Sequence, residues 1–185
     1  IGPSGTMLMI GQVDEPTLSL AFREQARALA EAGADGLVVE TMSDLTEARL
    51  AVDAAVATGL PVVACMVFDS GKQRDRTMMG VTVAHAAETL AAAGAHVVGA
   101  NCGIGVEHAL PMCRAMRAAT TLPIWIKPNA GLPELAGGKT IYRTDAAAFA
   151  AYVPDLVAAG AGFIGACCGS TPAFVAAIRA QLKSG

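Results

Sequence analysis

Ala95-His96-Val97-Val98-Gly99-Ala100-Asn101-Cys102-Gly103 and, later, Gly162-Phe163-Ile164-Gly165-Ala166-Cys167-Cys168-Gly169 are built alike. Each is a short run of small, apolar or β-branched residues that follows an Ala-Gly-Ala joint and closes on thiols and a glycine. Runs of this length and composition predict buried strands. The joint recurs. Glu31-Ala32-Gly33-Ala34-Asp35, Ala92-Ala93-Gly94-Ala95-His96 and Ala158-Ala159-Gly160-Ala161-Gly162 each place a glycine where a helix ends left-handed and the next strand begins. Two further runs open on Leu-Pro, at Leu60-Pro61 and Leu122-Pro123, where proline starts a strand harmlessly.

Five strands are therefore predicted, over 36–39, 61–67, 96–100, 123–126 and 162–166. Helical patterns over 18–32, 44–58, 81–93, 106–119, 145–159 and 172–182 alternate with them. In the first helix Leu20, Ala21, Ala28 and Leu29 supply the three-to-four spacing. Asp44 after Ser43, and Asp145 after Thr144, are predicted N-caps. Strands that are apolar throughout and alternate with helices imply an α/β fold with a covered parallel sheet.

The polar residues sort the barrel from the open sheet. No Gly-x-Gly-x-x-Gly follows the first strand, and no phosphate-cradling loop occurs. Glu40-Thr41, Asp69, Asn101-Cys102, Lys127-Pro128-Asn129 and Cys167-Cys168 instead stand at the C-terminal ends of several strands. Function spread over many strand ends is the logic of the (βα)8 TIM barrel. Residues 1–185 are expected to form a single domain covering about the last five βα units of such a barrel, without its N-terminal strands. The absence of an initiator Met fits a piece of a longer chain.

Cys102, Cys167 and Cys168 can reach one point only if their two strands are neighbours. Three thiolates with an open fourth position make a catalytic zinc site rather than a closed structural one. Cys65, within an apolar run, and Cys113, within a helical pattern, read as small buried hydrophobes. Five cysteines, two of them adjacent, make a poor disulfide framework and point to a reducing, cytoplasmic context.

Composition excludes other classes. At 54% hydrophobic and 16% charged residues the chain is not disordered. A net charge of −3 with no basic cluster argues against nucleic acid and anionic membrane surfaces. No apolar run reaches membrane-spanning length, and the opening residues lack a signal-peptide pattern.

Asn101-Cys102-Gly103, Pro128-Asn129-Ala130-Gly131 and Gly165-Ala166-Cys167-Cys168-Gly169-Ser170-Thr171-Pro172 resemble the signature segments of the homocysteine S-methyltransferase family. The openings Ile1-Gly2-Pro3-Ser4-Gly5 and Val39-Glu40-Thr41-Met42-Ser43-Asp44 are similar to it as well. The resemblance covers essentially the whole chain. It implies zinc on Cys102, Cys167 and Cys168, with L-homocysteine as the fourth ligand through sulfur. It also implies that Glu40 holds the substrate amino group, and that Thr41 and Asn129 lie near the substrate backbone. The reaction implied is methyl transfer to homocysteine, forming methionine. The expected donor is methylcobalamin or methyltetrahydrofolate by way of a partner corrinoid domain, with S-methylmethionine and betaine as alternatives. The family's first two strands have no counterpart here, and Lys127 stands where related methionine synthase modules often show Glu. Other readings of the same residues are a catalytically silent, zinc-binding scaffold that self-associates through an open barrel edge, and a redox protein using Cys167 and Cys168. Individually, Glu40 could cap a helix, Asn129 could serve only a turn, and Lys127 reads as a salt-bridge partner inside the barrel mouth. Met78-Met79 could line a donor-docking loop.

Overall fold

A computed structural model describes residues 1–183. The elements run α1 (Glu15–Glu31), β1 (Leu37–Met42), α2 (Leu45–Val56), β2 (Val62–Met66), α3 (Val83–Ala92), β3 (Val97–Cys102), α4 (Ala109–Ala119), β4 (Ile124–Pro128), β5 (Glu134–Ala136), β6 (Lys139–Ile141), α5 (Ala146–Ala150), α6 (Val153–Ala158), β7 (Phe163–Ile164) and α7 (Pro172–Lys183). Five strands form one all-parallel sheet in the order β1-β2-β3-β4-β7, and β5 pairs with β6 as a separate antiparallel hairpin. At the β1 edge the Ile1 ammonium donates to the Val38 carbonyl at 2.8 Å, and the Ile1 carbonyl accepts from the Glu40 N–H at 2.9 Å. That is the bonding pattern of a parallel ladder.

Alternation along the strands divides the sheet into two faces. Leu37, Val39, Ala64, Val98, Ile124 and Ile126 are buried on the helix-covered face, where the core lies. The opposite face carries the row Cys65, Gly99, Trp125 and Phe163, in register across four strands, and above it Glu40, Asn101 and Lys127. Adjacent strands are about 4.8 Å apart, so in a flat sheet β1 and β4 would stand about 14 Å apart. Lys127 on β4 nevertheless contacts Glu40 on β1. The sheet is curled, and this second face is its concave side.

The predicted caps are present. The Asp44 side chain accepts from the N–H groups of Thr46 and Glu47, and Asp145 accepts from Ala148. Other expectations need correction. The face of α1 that packs is Leu18, Phe22 and Ala26, while Leu20 is 66% exposed and Leu29 39%. A four-residue spacing set on Phe22 outcompetes the Leu20 and Leu29 pattern because the larger ring is buried. The helix expected over 145–159 divides at Ala151-Tyr152. Pro154 has no N–H to give the Ala150 carbonyl, and a new helix begins beside it. The strands bearing the thiols are not neighbours, because β4 lies between β3 and β7. The hairpin β5–β6 is exposed and too short for periodicity to reveal.

Candidate metal centre

Two strands that are not neighbours bring three sulfurs together because the chain turns sharply at both ends. Cys102 adopts a left-handed conformation with φ 59° and is followed by Gly103 at φ 75°. For a residue with a Cβ this conformation costs about 1–2 kcal/mol, so something else must hold it. The holder is the end of β4. The Asn129 N–H donates to the Cys102 carbonyl, and its side-chain amide donates to the Gly103 carbonyl at 2.8 Å. On the other side the Asn129 Oδ1 accepts from the Cys168 N–H at 3.0 Å. The Cys167 N–H reaches the Pro128 carbonyl and the Ala130 N–H reaches the Cys168 carbonyl, each at 2.9 Å. Asn129, 7% exposed, thus braces both cysteine loops, one with each end of its amide.

The three Sγ atoms are 3.2 Å (Cys102–Cys167), 3.7 Å (Cys102–Cys168) and 4.0 Å (Cys167–Cys168) apart. Zn–S bonds of about 2.3 Å at tetrahedral angles require S···S edges of about 3.8 Å. Two edges already match, and the third must open by about 0.6 Å to meet that geometry. Three soft thiol sulfurs at this spacing, deprotonated on binding, would fit a zinc ion. Cys168 is exposed, so the open side of the triangle faces solvent. The hydrogen bond between the Cys102 and Cys167 thiols, with help from the Asn101 amide, holds the Cys167 thiol down at about 5 against the opposing effect of burial. Cys102, its partner in that bond, is pushed up. The bond between the two thiols thus favours ionisation of Cys167 over Cys102.

Cys65 and Cys113 are fully buried, as expected. Desolvation pushes the Cys65 thiol up to about 12. Cys113 faces the Leu156 and Ala159 carbonyls, far along the chain from the cluster. Met78 and Met79 line a cavity of about 260 Å³ with Met7, Leu8 and Met9, beside the buried Glu47.

The model of the family described as homocysteine S-methyltransferase matches residues 1–182. The chain belongs to that family. The homocysteine S-methyltransferase of Escherichia coli is 31% identical over 162 residues, which are 86% of this chain and 51% of that protein. The methionine synthase of Mycobacterium tuberculosis is 26% identical over 194 residues, spanning 100% of this chain and 16% of that protein. Among solved structures, the apo form of the E. coli homocysteine methyltransferase MmuM is similar over 98% of this chain and 61% of its own, with TM-score 0.76 and 25% identity. A metallated form of the same enzyme gives TM-score 0.76 and 26% identity over 98% of this chain and 59% of its own. The chain thus spans about half the length of one curated relative and about a sixth of the other. Among the described residues, no helix is long and apolar enough to cross a membrane.

In this homocysteine S-methyltransferase domain the residue that sequence reasoning left without a role is Asn101. It is 2% exposed. Its Oδ1 accepts from the Thr41 N–H at 2.8 Å, its Nδ2 donates to the Thr41 Oγ1 at 2.8 Å, and the same Nδ2 lies 3.9 Å from the Cys167 Sγ. Thr41 is itself left-handed, with φ 65°, and marks a bulge where the β1–β2 register shifts between Val39 and Met42. Asn101 ties that bulge to the sulfurs. An amide inside a strand of valine, glycine and alanine was the available signal, because a buried amide must find partners. Asn101→Ala should cost about 2 kcal/mol of stability in urea unfolding, since it orphans the Thr41 N–H. It should also weaken zinc binding about 10–100-fold. Unchanged zinc affinity would limit Asn101 to supporting the fold.

Glu40 and Lys127 form an ion pair, with side-chain exposures of 41% and 12%. The Lys127 Nζ also lies 4.6 Å from the centroid of the Trp125 ring. The reading of Lys127 as a salt-bridge partner agrees with this geometry.

Proposed function

We propose that this chain is the sulfur-activating part of a zinc-dependent methyltransferase that makes methionine from L-homocysteine. The observation that carries the proposal is the convergence of three cysteine sulfurs, from two strands that are not neighbours, onto one partly exposed point. Cys102, Cys167 and Cys168 would hold zinc. When bound, zinc would lower the pKa of a coordinated thiol, which for a free aliphatic thiol is about 8.5, and keep it ionised at neutral pH.

The chain's own residues do the rest. Three thiolate donors leave the site electron-rich, so that an acceptor sulfur keeps its nucleophilicity. Glu40 offers a carboxylate to the acceptor's ammonium from the end of β1. Thr41, fixed by Asn101, and Asn129, fixed between the cysteine loops, set the substrate's surroundings. The acceptor sulfur then takes the methyl group in line, and the donor leaves with the bonding electron pair. The curled sheet and the sequential strand order support an arc of a (βα)8 barrel within a single domain over 1–185. The likeness to methionine synthase supports methylcobalamin or methyltetrahydrofolate as donor, brought by a partner corrinoid domain.

The test is zinc content and X-ray absorption at the zinc edge, with and without L-homocysteine. Sulfur coordination is expected to rise from three to four. Stoichiometric zinc that ignores homocysteine would favour the scaffold reading, and reduced protein without zinc would remove the basis of the proposal. Glu40→Gln is expected to leave zinc in place and to weaken homocysteine binding about tenfold, read by calorimetry. Unchanged affinity would make Glu40 a structural partner of Lys127.

A further inference from the structure

Glu40 is not a free carboxylate. Its partner, Lys127, stands on β4 directly beside Asn101 on β3, at the level just below Cys102 and Pro128. The lysine stem passes Gly165, where a Cβ would stand 3.1 Å from the Lys127 Cγ and 3.2 Å from the Trp125 Nε1. Trp125 supports the ammonium from one side. Lysine carries three N–H donors, and Glu40 takes one of them. Three arginines of the strand-end loops are turned to local acceptors. Arg74 donates to the Asp69 carbonyl, Arg76 to the Gly80 carbonyl and Arg143 to the Glu134 carboxylate.

A lone carboxylate at this position would attract any ammonium. A carboxylate already neutralised by a largely buried lysine does not. An amine that displaced Lys127 would leave that ammonium unpaired and poorly solvated, which offsets the new contact. A ligand carrying both charges on one carbon avoids that loss. It meets the ion pair head to tail, ammonium to Glu40 and carboxylate to Lys127, and neither protein charge is stranded.

We propose that Lys127 reads the carboxylate of the acceptor, so that the site selects thiols of the α-amino-acid class over thiols bearing an amine alone or a carboxylate alone. This rests on the proposal that the three cysteines form a thiol-binding metal centre. Lys127 is a specificity residue, and its effect depends on which charges the thiol carries.

The experiment measures equilibrium affinity by calorimetry on the zinc-loaded protein with three probes. They are L-homocysteine, its analogue lacking the amine (a mercaptobutyrate) and its analogue lacking the carboxylate (an aminopropanethiol). Zinc content of each variant serves as the check on folding. Lys127→Gln should weaken homocysteine and the mercaptobutyrate about tenfold or more. The aminopropanethiol should bind as well as before or better, because Glu40 is released. Lys127→Arg should restore the wild-type order. Glu40→Gln should act in reverse, weakening the two amines and tightening the mercaptobutyrate as Lys127 loses its competitor. Equal weakening of all three probes by Lys127→Gln, or no loss for the two carboxylates, overturns the role of Lys127 and leaves the metal centre standing. If Lys127→Gln does not fold, Glu40→Gln decides, and no gain for the mercaptobutyrate overturns the proposal. A wild-type protein that holds zinc and binds none of the thiols overturns both readings.

Discussion

Cys102→Ala is expected to leave the purified protein without stoichiometric zinc, and Cys167→Ala and Cys168→Ala should do the same. Each removes one of three donors from a cluster whose sulfurs already lie 3.2–4.0 Å apart. Two thiolates at a solvent-facing point cannot fix the geometry of a catalytic zinc site. The loss should exceed the roughly 10–100-fold that removing an outer hydrogen-bonding partner costs, so the cysteine variants and Asn101→Ala are separable by zinc affinity alone. Cys113→Ala is the control. Its sulfur faces helix carbonyls and is fully buried, so it should alter stability and spare zinc. The readout is metal content after dialysis, with circular dichroism to confirm folding. A Cys102→Ala protein that keeps full zinc would falsify its place among the ligands.

Gly99→Ala should be the most damaging single methyl group in the sheet. Gly99 is on β3, in register with Cys65 on β2 and Trp125 on β4. A Cβ there would stand 2.2 Å from the Trp125 carbonyl oxygen and 2.8 Å from the Cys65 Sγ. The first of these is backbone and cannot rotate away. The strands must separate, and the β3–β4 ladder is what carries Asn101 and Cys102 to the centre. Overpacking a core costs 1–3 kcal/mol and sometimes more. A rigid backbone obstacle puts this case at about 3 kcal/mol or above, read as a lowered urea midpoint. Zinc retention should fall with it, because the cluster depends on the spacing of β3, β4 and β7. A loss below about 1 kcal/mol would show that the strands can part without cost.

What the sequence discloses is whatever a short window can determine. The Ala-Gly-Ala joints end helices because a left-handed glycine is a local matter, and Gly33, Gly94 and Gly160 all have positive φ. Asp44 and Asp145 cap the helices that follow them for the same reason. That the three cysteines would gather at one point was legible, because so few residues of one kind stand at strand ends. Strand adjacency was not legible. That β4 separates the two thiol strands follows from how the whole sheet curls, and no window spans it. The packing face of α1 depends on which side meets α2, so exposed Leu20 and Leu29 misled where Phe22 decided. Asn101 looked like one letter of a motif. Its work is visible only when Thr41, sixty positions earlier, is seen to lean on it.

Of the five thiols, three gather on the exposed side of the concave face and one, Cys65, lies beneath them on the same face. Burial pushes the Cys65 thiol up to about 12, so it stays protonated at pH 7. It lies close enough to feel the charges of Lys127, Glu40 and Cys167, yet it stands outside the group of three sulfurs that could hold an ion together. Cys65 is fully buried while Cys168 is exposed, so an arriving ion would meet the three clustered sulfurs first. Access would then sort the thiols, and the buried one would serve packing alone.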